Sequence, residues 1–311
     1  MLMTMRDAIR SALAEEMRRD SGVFLLGEDI SAYGGTLMVT DGLFAEFGGE
    51  RVIDTPLSEV AITGAAIGAA MMGMRPVLEI MFADFLPLVM DQLANNAAKT
   101  CYAYDGRMRV PMVLRTAFGG GTRSGMHHSQ NLEAWLLHTP GLKVVMPSTP
   151  EDAKGLLLSA IRDPNPVVFL EHKMLLGARG DVPEGEYTIP IGRACVRREG
   201  SDLTIVACGN MVPKSIQAAD ELAKNGIEAE VIDLRSVAPL DMDTILASVC
   251  KTNRLLVVHE ACKTGGIGGE ISALVAENAL EALDAPIERV AAPDCPVPFS
   301  ATLEDYYLPK T

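Results

Sequence analysis

The sequence has few aromatic residues, few basic residues and no long apolar run. Phe, Tyr and Trp make up 5% of the 311 residues, with a single Trp, so small and flexible side chains must fill much of the core. Lys and Arg number 27 against 41 Asp and Glu, which gives a formal net charge of -14. This balance argues against nucleic-acid binding, which needs clustered basic residues. No stretch reaches the roughly 18 uninterrupted apolar residues of a membrane-spanning helix.

Cysteine is present without the spacing of a metal or redox motif. The six cysteines form no CxxC pair and no combination with histidine that suits zinc, which indicates free thiols in a reducing compartment. Residues 1–19 predict a charged amphipathic helix rather than the apolar core of a secretory signal. We therefore expect a cytoplasmic protein.

Strand and helix signals alternate along the chain, which predicts an α/β fold. Such alternation is typical of a mostly parallel sheet with helices on both faces, and the length suggests about two domains. The first predicted domain covers residues 1–175, with a helix over 86–104. Residues 176–195 mix Gly, Pro and acids without periodicity and predict a linker, and residues 196–311 form a second α/β unit.

Glu59 lies where a predicted strand turns into a predicted helix. Pro56 breaks the strand, and residues 60–74 are rich in Gly and Ala, so this helix can approach its neighbours closely. If Leu57 and Val60 exclude water from the Glu59 carboxyl, its pKa rises and it can hold a proton near neutral pH. Alternatively, the acid simply interacts favourably with the positive end of the helix.

Two glycine clusters suggest close approaches of the backbone. Residues 119–121 are three consecutive glycines and lead towards His127 and His128. The second cluster, Gly266-Ile267-Gly268, resembles part of a dinucleotide-binding loop, but Ile271 stands where the fingerprint needs a third glycine. Helix packing or a subunit contact explains this cluster better than a nicotinamide-dependent oxidoreductase does.

Seven short segments run in order across nearly the whole chain: DTPLSE (54–59), EIMFADF (79–85), HSQ (128–130), PGLKVV (140–145), IRDPNPV (161–167), EVIDLR (230–235) and PVPFS (296–300). Together they resemble the β subunits of thiamin-diphosphate-dependent 2-oxo acid dehydrogenases, a family that includes pyruvate, branched-chain and acetoin dehydrogenases. The resemblance implies a pyrimidine-binding domain followed by a transketolase C-terminal-like domain. It also implies a heterotetramer of two α and two β chains, with a β–β contact and with the cofactors at the α/β interfaces.

The resemblance assigns roles to several of the residues above. Glu59 becomes the acid that hydrogen-bonds the pyrimidine nitrogen of thiamin diphosphate and so promotes removal of the thiazolium proton. Phe85 would lie against the pyrimidine face. Leu57 and Met81 would be neighbours of the ring, although burial in an ordinary core explains apolar strand residues equally well. His128 would face the channel for substrate and lipoyl arm, and its neighbour His127 is the other candidate for that position.

The resemblance also implies two metal ions. A structural potassium ion would be held by a loop for which an ordinary Asp-Pro-Asn turn is the alternative explanation; its expected ligands are Met112, Ala160, Ile161, Asp163 and Asn165. The magnesium ion that anchors the diphosphate requires a Gly-Asp-Gly motif, which this chain lacks. We therefore expect the α subunit to hold magnesium, and this chain alone to be inactive.

The leading hypothesis is a catalytic β subunit that, with its α partner, cleaves a 2-oxo acid or acetoin. The acyl group would pass to the lipoyl arm of an acyltransferase. Pyruvate and acetoin are the favoured substrates, and a branched-chain 2-oxo acid is the alternative. A non-catalytic scaffold of the same fold is a further alternative, which the joint presence of Glu59, Phe85 and His128 disfavours.

Overall fold

A computed structural model describes residues 1–311, which form two main sheets surrounded by helices and a small sheet of two strands. The strands are β1 (Leu2–Thr4), β2 (Val23–Gly27), β3 (Val52–Asp54), β4 (Arg75–Phe82), β5 (Val113–Phe118), β6 (Lys143–Val145), β7 (Val167–His172), β8 (Arg179–Asp181), β9 (Cys195–Arg198), β10 (Leu203–Ala207), β11 (Ala229–Asp233), β12 (Ser236–Ala238), β13 (Leu255–Cys262) and β14 (Glu288–Ala292). The helices are α1 (Met5–Arg19), α2 (Leu43–Phe47), α3 (Glu59–Met71), α4 (Leu86–Met90), α5 (Ala98–Ala103), α6 (Glu133–Leu137), α7 (Pro150–Arg162), α8 (Met211–Ala223), α9 (Met242–Thr252), α10 (Ile267–Ala279) and α11 (Ala301–Tyr307).

The larger sheet has seven strands in the order β12-β6-β7-β5-β4-β2-β3. All its pairings are parallel except that of β12 with β6. Successive residues of β2 alternate between two cores: Val23 and Leu25 pack with α1 and α7, whereas Phe24 and Leu26 pack with α3 and α4. This alternation follows from the two-residue period of a strand. It explains why β2 is apolar throughout, because helices cover both faces of the sheet.

Side-chain caps fix where the main helices of the first unit begin. The Thr4 hydroxyl accepts a hydrogen bond from the Asp7 amide at the start of α1, and the Thr149 hydroxyl accepts one from the Asp152 amide at the start of α7. The predicted helix over 86–104 consists of α4 and α5 joined by a wider π-type segment, Asp91–Ala97. None of the helices combines the length and apolar character needed to cross a lipid bilayer.

The smaller sheet has the order β14-β13-β10-β11-β9, with only β9 antiparallel to its neighbour. Helix α10 can approach β13 closely because its first turn contains glycine. A Cβ atom on Gly266 would lie 2.4 Å from a ring carbon of His259, and one on Gly268 would lie 3.0 Å from a ring nitrogen of the same histidine. The second glycine cluster therefore serves helix packing, as expected.

Two segments of the chain, residues 176–195 and β12, join the units that contain the two main sheets. Residues 176–195, expected to be a linker, lie against the first unit: β8 pairs with β1, the Tyr187 hydroxyl donates to the Glu151 carbonyl at 2.8 Å, and the Ile189 amide donates to the Gly155 carbonyl at 3.1 Å. In the other direction, β12 leaves the second unit and extends the first sheet. One apolar core of 38 residues contains side chains from both units.

Candidate functional site

The predicted site residues follow strands that end at one edge of the larger sheet. Strands β2, β3, β4 and β5 are parallel; β2 and β3 end in register, with Gly27 opposite Asp54, and the last residue of β4, Phe82, lies opposite Ala117, the last but one of β5. The segments that carry Glu28, Glu59 and Phe85 come directly after these strands. The carboxyl edge of a parallel sheet is where ligands of open α/β folds bind.

Glu59 is the first residue of α3 and is half-buried. Its carboxylate makes no hydrogen bond or ion pair within the chain, whereas its carbonyl accepts from the Thr63 hydroxyl at 2.7 Å. Leu57 and Val60 are 78% and 47% exposed. The expectation that these two residues shield the acid is therefore wrong for the chain alone, because their side chains remain in solvent.

Glu28 is a second acid at this edge, and it is buried. One carboxylate oxygen accepts a hydrogen bond from the Ser58 amide at 2.8 Å, just before α3 begins. Burial raises the pKa of Glu28, and the charges of Glu59 and Asp29 raise it further against the opposing effect of the Ser58 bond. In the sequence, only the position of Glu28 directly after a predicted strand pointed to a role at the site.

Phe82, Phe85 and His128 form an aromatic cluster at the same edge. The His128 ring meets Phe82 edge-to-face with 4.8 Å between centroids and meets Phe85 with 5.7 Å, and the two Phe rings are 6.1 Å apart. Such T-shaped contacts suit the quadrupoles of the rings. His128 is half-buried in this cluster while His127 is exposed, so it is His128 that adjoins the predicted cofactor residue Phe85.

Two charged residues hold the loop that carries His128. One oxygen of Asp84 accepts hydrogen bonds from the Ser129 amide, the Gln130 amide and the Gln130 side chain at 3.0–3.1 Å. On the other side, Lys173 donates to the His128 carbonyl. Neither Asp84 nor Lys173 was expected to have a role at the site. Asp84 is recognisable in the sequence as an acid next to Phe85, whereas Lys173 lies 45 residues from its partner.

The second unit contributes a buried carboxylate to the glycine-rich loop. Glu260 accepts hydrogen bonds from the Gly120 amide at 2.6 Å, His172 Nε2 at 3.0 Å and the Asn131 side chain at 3.4 Å. Burial alone would raise the pKa of Glu260, but its interaction with His172 and the hydrogen bonds from the Gly120 amide and the Asn131 side chain lower it to about 2. Gly119 has φ +91°, and a Cβ atom there would lie 2.1 Å from His172 Nε2, so this contact requires glycine.

The structure places the other predicted cofactor residues less tightly. Met81 lines a small cavity beside Glu79 and Arg115, and Leu57 is exposed to solvent, so their contact with a cofactor stays a prediction. The chain does place the unpaired Glu59 carboxylate and the aromatic cluster of Phe82, Phe85 and His128 at one edge of the larger sheet. These fit the pyrimidine end of thiamin diphosphate, which needs a hydrogen-bonding acid and a flat apolar face.

The five residues predicted as potassium ligands lie in the last turn of α7, in the turn after it or, in the case of Met112, directly before β5. The Met112 carbonyl accepts from Val167 N at 3.0 Å, the Ala160 carbonyl from Asp163 N at 3.3 Å, and Asp163 Oδ1 from Asn165 N at 2.9 Å. Two cationic side chains reach the same turn: Arg75 donates to the Ile161 carbonyl at 2.8 Å, and Lys143 pairs with Asp163. Carbonyl and carboxylate oxygens are ligands that hard cations prefer, and potassium at this turn stays a prediction.

Comparison with known proteins finds the same two domains along the chain. Residues 2–179 match the family described as "Transketolase, pyrimidine binding domain", and residues 192–311 match "Transketolase, C-terminal domain". A solved structure described as a split-gene transketolase, an inactive β4 tetramer, superimposes with a TM-score of 0.80 at 24% identity, covering 98% of this chain and 93% of that one. This similarity confirms the predicted fold.

Curated relatives are similar over nearly their whole length. The β subunit of an acetoin:2,6-dichlorophenolindophenol oxidoreductase from Cupriavidus necator is 53% identical over 97% of this chain and 92% of the relative. The β subunit of the pyruvate dehydrogenase E1 component from Bacillus subtilis is 51% identical over 99% and 95%. The 2-oxoisovalerate dehydrogenase β subunit from Bacillus subtilis is 48% identical over 99% and 94%.

Proposed function

Since this chain belongs to the E1 β subunits of the pyruvate, acetoin and branched-chain 2-oxo acid dehydrogenases, we propose that it supplies the pyrimidine-binding half of a thiamin-diphosphate site. Membership confirms the resemblance drawn from the seven sequence segments. The proposal rests above all on Glu59, a half-buried carboxylate without a partner of its own at the edge that also carries the Phe82–Phe85–His128 cluster.

Thiamin diphosphate, when bound, supplies the nucleophile that attacks the carbonyl carbon of the substrate. Glu59 would hold a proton between its carboxyl oxygen and the pyrimidine ring nitrogen. A partner chain that covers Leu57 and Val60 would remove water from Glu59, and the loss of water would favour the neutral, protonated acid beside the pyrimidine nitrogen. Phe85 would present an apolar face to the pyrimidine.

His128 would act on the substrate side of the site. Its ring is held by Phe82 and Phe85, and imidazole changes charge near neutral pH. It could therefore hold or give up a proton at a substrate oxygen, or orient the lipoyl arm of an acyltransferase that takes the acyl group. The proposal therefore gives Glu59 and His128 catalytic roles, which a non-catalytic scaffold of the same fold would not need.

The rest of the site would come from an α subunit in a heterotetramer. This chain has no Gly-Asp-Gly segment, so the α chain would hold magnesium and the diphosphate.

Pyruvate and acetoin are the proposed substrates, because the relatives include subunits named for both, and a branched-chain 2-oxo acid is the alternative. All six cysteines are free thiols, in keeping with a cytoplasmic location.

The test is Glu59→Gln in the complex reconstituted with its α subunit. The amide keeps the shape of the side chain but cannot hold the proton, so we expect turnover to fall by a factor of about 100 or more. Exchange of the thiazolium hydrogen with deuterated solvent should slow by a similar factor. Near-normal exchange in this variant would disprove the role of Glu59.

Glu50→Gln is the matched control, because Glu50 is an exposed acid of the same unit. It should leave both exchange and turnover unchanged. Assays of the wild-type complex with pyruvate, acetoin and a branched-chain 2-oxo acid would then establish the substrate, and activity of this chain without an α subunit would contradict the two-chain site.

A further inference from the structure

A buried cation lies directly behind the aromatic cluster. Lys173 is only 9% exposed, which is unusual for lysine. Its ammonium group donates to the His128 carbonyl and lies 5.6 Å from the centre of the Phe82 ring, within cation–π range. One ammonium group therefore contacts both the backbone of His128 and the ring against which the His128 side chain packs.

The backbone around Lys173 is itself fixed. Residues 173–175 form a single helical turn, begun by the Met174 amide, which donates to His172 Nδ1 at 3.2 Å. The other nitrogen of His172 bonds Glu260 at 3.0 Å. Because Nδ1 accepts, Nε2 is the donor. A continuous set of contacts thus connects Glu260 in the second unit to the His128 carbonyl through His172 and Lys173.

Burial of this ammonium group needs compensating charge. Burial lowers the pKa of Lys173, and the carboxylates of Asp84, Glu260 and Glu304 oppose that effect. Asp84 also accepts hydrogen bonds from Ser129 and Gln130. The loop at His128 is therefore held from one side by a carboxylate that accepts from its amides and from the other by an ammonium group that donates to its carbonyl.

We propose that Lys173 is a positioning residue, which fixes the His128 imidazole against Phe82 and Phe85 by holding the His128 carbonyl. The inference rests on the proposed function of the site in treating His128 as the group that meets the substrate. Without the ammonium group, the His128 carbonyl would lose its buried donor and the backbone could rotate. The imidazole would then spend less time in the reactive orientation, and a misplacement of about 1 Å can lower a rate by about 100-fold.

Histidine NMR tests the positioning directly, without any need for activity. The full-length chain is labelled with 13C at histidine Cε1, and the His128 signal is assigned by its loss in His128→Gln. In Lys173→Met, which keeps the length but not the charge, the His128 signal should shift or broaden while the His138 signal stays in place. An unmoved His128 signal would overturn the proposal.

Lys214→Met is the matched control, because Lys214 also donates to a backbone carbonyl, that of Pro309, at 2.8 Å. It should leave the His128 signal unchanged. If Lys173→Met does not fold, the comparison is made with Lys173→Gln, which stays polar in the buried site but is too short to reach the carbonyl. An unmoved His128 signal in that variant would be equally decisive.

Turnover of the reconstituted complex separates positioning from a general loss of structure. Lys173→Met should lower kcat about tenfold when His128 is present and should have no further effect in the His128→Gln background. Equal losses in both backgrounds would show that Lys173 does not act through the imidazole. If His128→Gln alone leaves turnover intact, the proposed role of His128 fails, and the NMR comparison still decides whether Lys173 positions the ring.

Discussion

Glu260 and His172 are 88 residues apart in the sequence and 3.0 Å apart in the structure. The carboxylate comes from the second unit and the imidazole from the first, and both are buried. Because the same carboxylate accepts from the Gly120 amide, the second unit holds the glycine-rich loop that leads to His128. The geometry of the proposed site therefore depends on both units.

Glu260→Gln should destabilise the protein in a pH-dependent way. Its pKa is lowered from 4.5 to about 2, so the ionised acid stabilises the fold above about pH 4.5, and this contribution is lost as the pH falls towards 2. We expect the variant to be less stable by about 3 kcal/mol at pH 7. Urea unfolding should show the difference narrowing below about pH 4.5, and a difference independent of pH would contradict this assignment.

Glu133→Gln should have the opposite effect. This buried acid has its pKa raised from 4.5 to about 7, chiefly by burial, and one of its oxygens has no hydrogen-bond partner. Ionising it in the folded state costs free energy, so its presence lowers stability as the pH rises from about 4.5 to about 7. The variant should be more stable than the wild type at pH 8 by up to about 3 kcal/mol. Thermal unfolding at pH 5 and pH 8 would measure this, and equal gains at both values would contradict the titration of Glu133.

Arg115→Met should be strongly destabilising. Its buried guanidinium donates to Glu171 at 2.7 and 3.0 Å and to Glu79 at 2.9 Å, and its loss leaves two carboxylates without their cation. We expect a loss of about 3–5 kcal/mol in the free energy of unfolding. Arg18→Met is the control, because Arg18 pairs with Glu46 at the surface with 59% of its side chain exposed, and it should cost less than about 1 kcal/mol. Similar losses in the two variants would show that burial of the Arg115 cluster is unimportant.

Potassium should raise the thermal stability if the turn after α7 binds it. We expect Tm to be about 3 °C higher in potassium chloride than in sodium chloride at the same ionic strength. Asp163→Asn should reduce the difference, because it weakens the charge of the proposed ligand set. Asp202→Asn is the control, since Asp202 also accepts from a backbone amide, that of Glu228 at 2.7 Å. If Tm is the same in potassium chloride and sodium chloride, the turn does not bind potassium.

Local patterns predicted most of the fold because they act over short distances. The apolar run of β2 predicted a buried strand, and the Gly/Ala-rich sequence of α3 predicted a helix. Ile271, which stands where a dinucleotide-binding loop needs glycine, correctly favoured a packing role for Gly266. The roles of His128 and Phe85 came only from the family resemblance, which did not predict that their rings are in contact. Lys173 was missed because its partner is distant in sequence, and the exposure of Leu57 was missed because periodicity does not show what a single chain leaves uncovered.

Strand β12 has a consequence for synthesis on the ribosome. The seventh strand of the first sheet consists of residues 236–238, so β6 remains an open edge while most of the chain is being made. Unpaired edges attract other strands, and nascent domains otherwise fold in order from the N-terminus. Chains that stall or are cut before residue 236 would therefore expose the β6 edge and should aggregate more readily than the full-length chain.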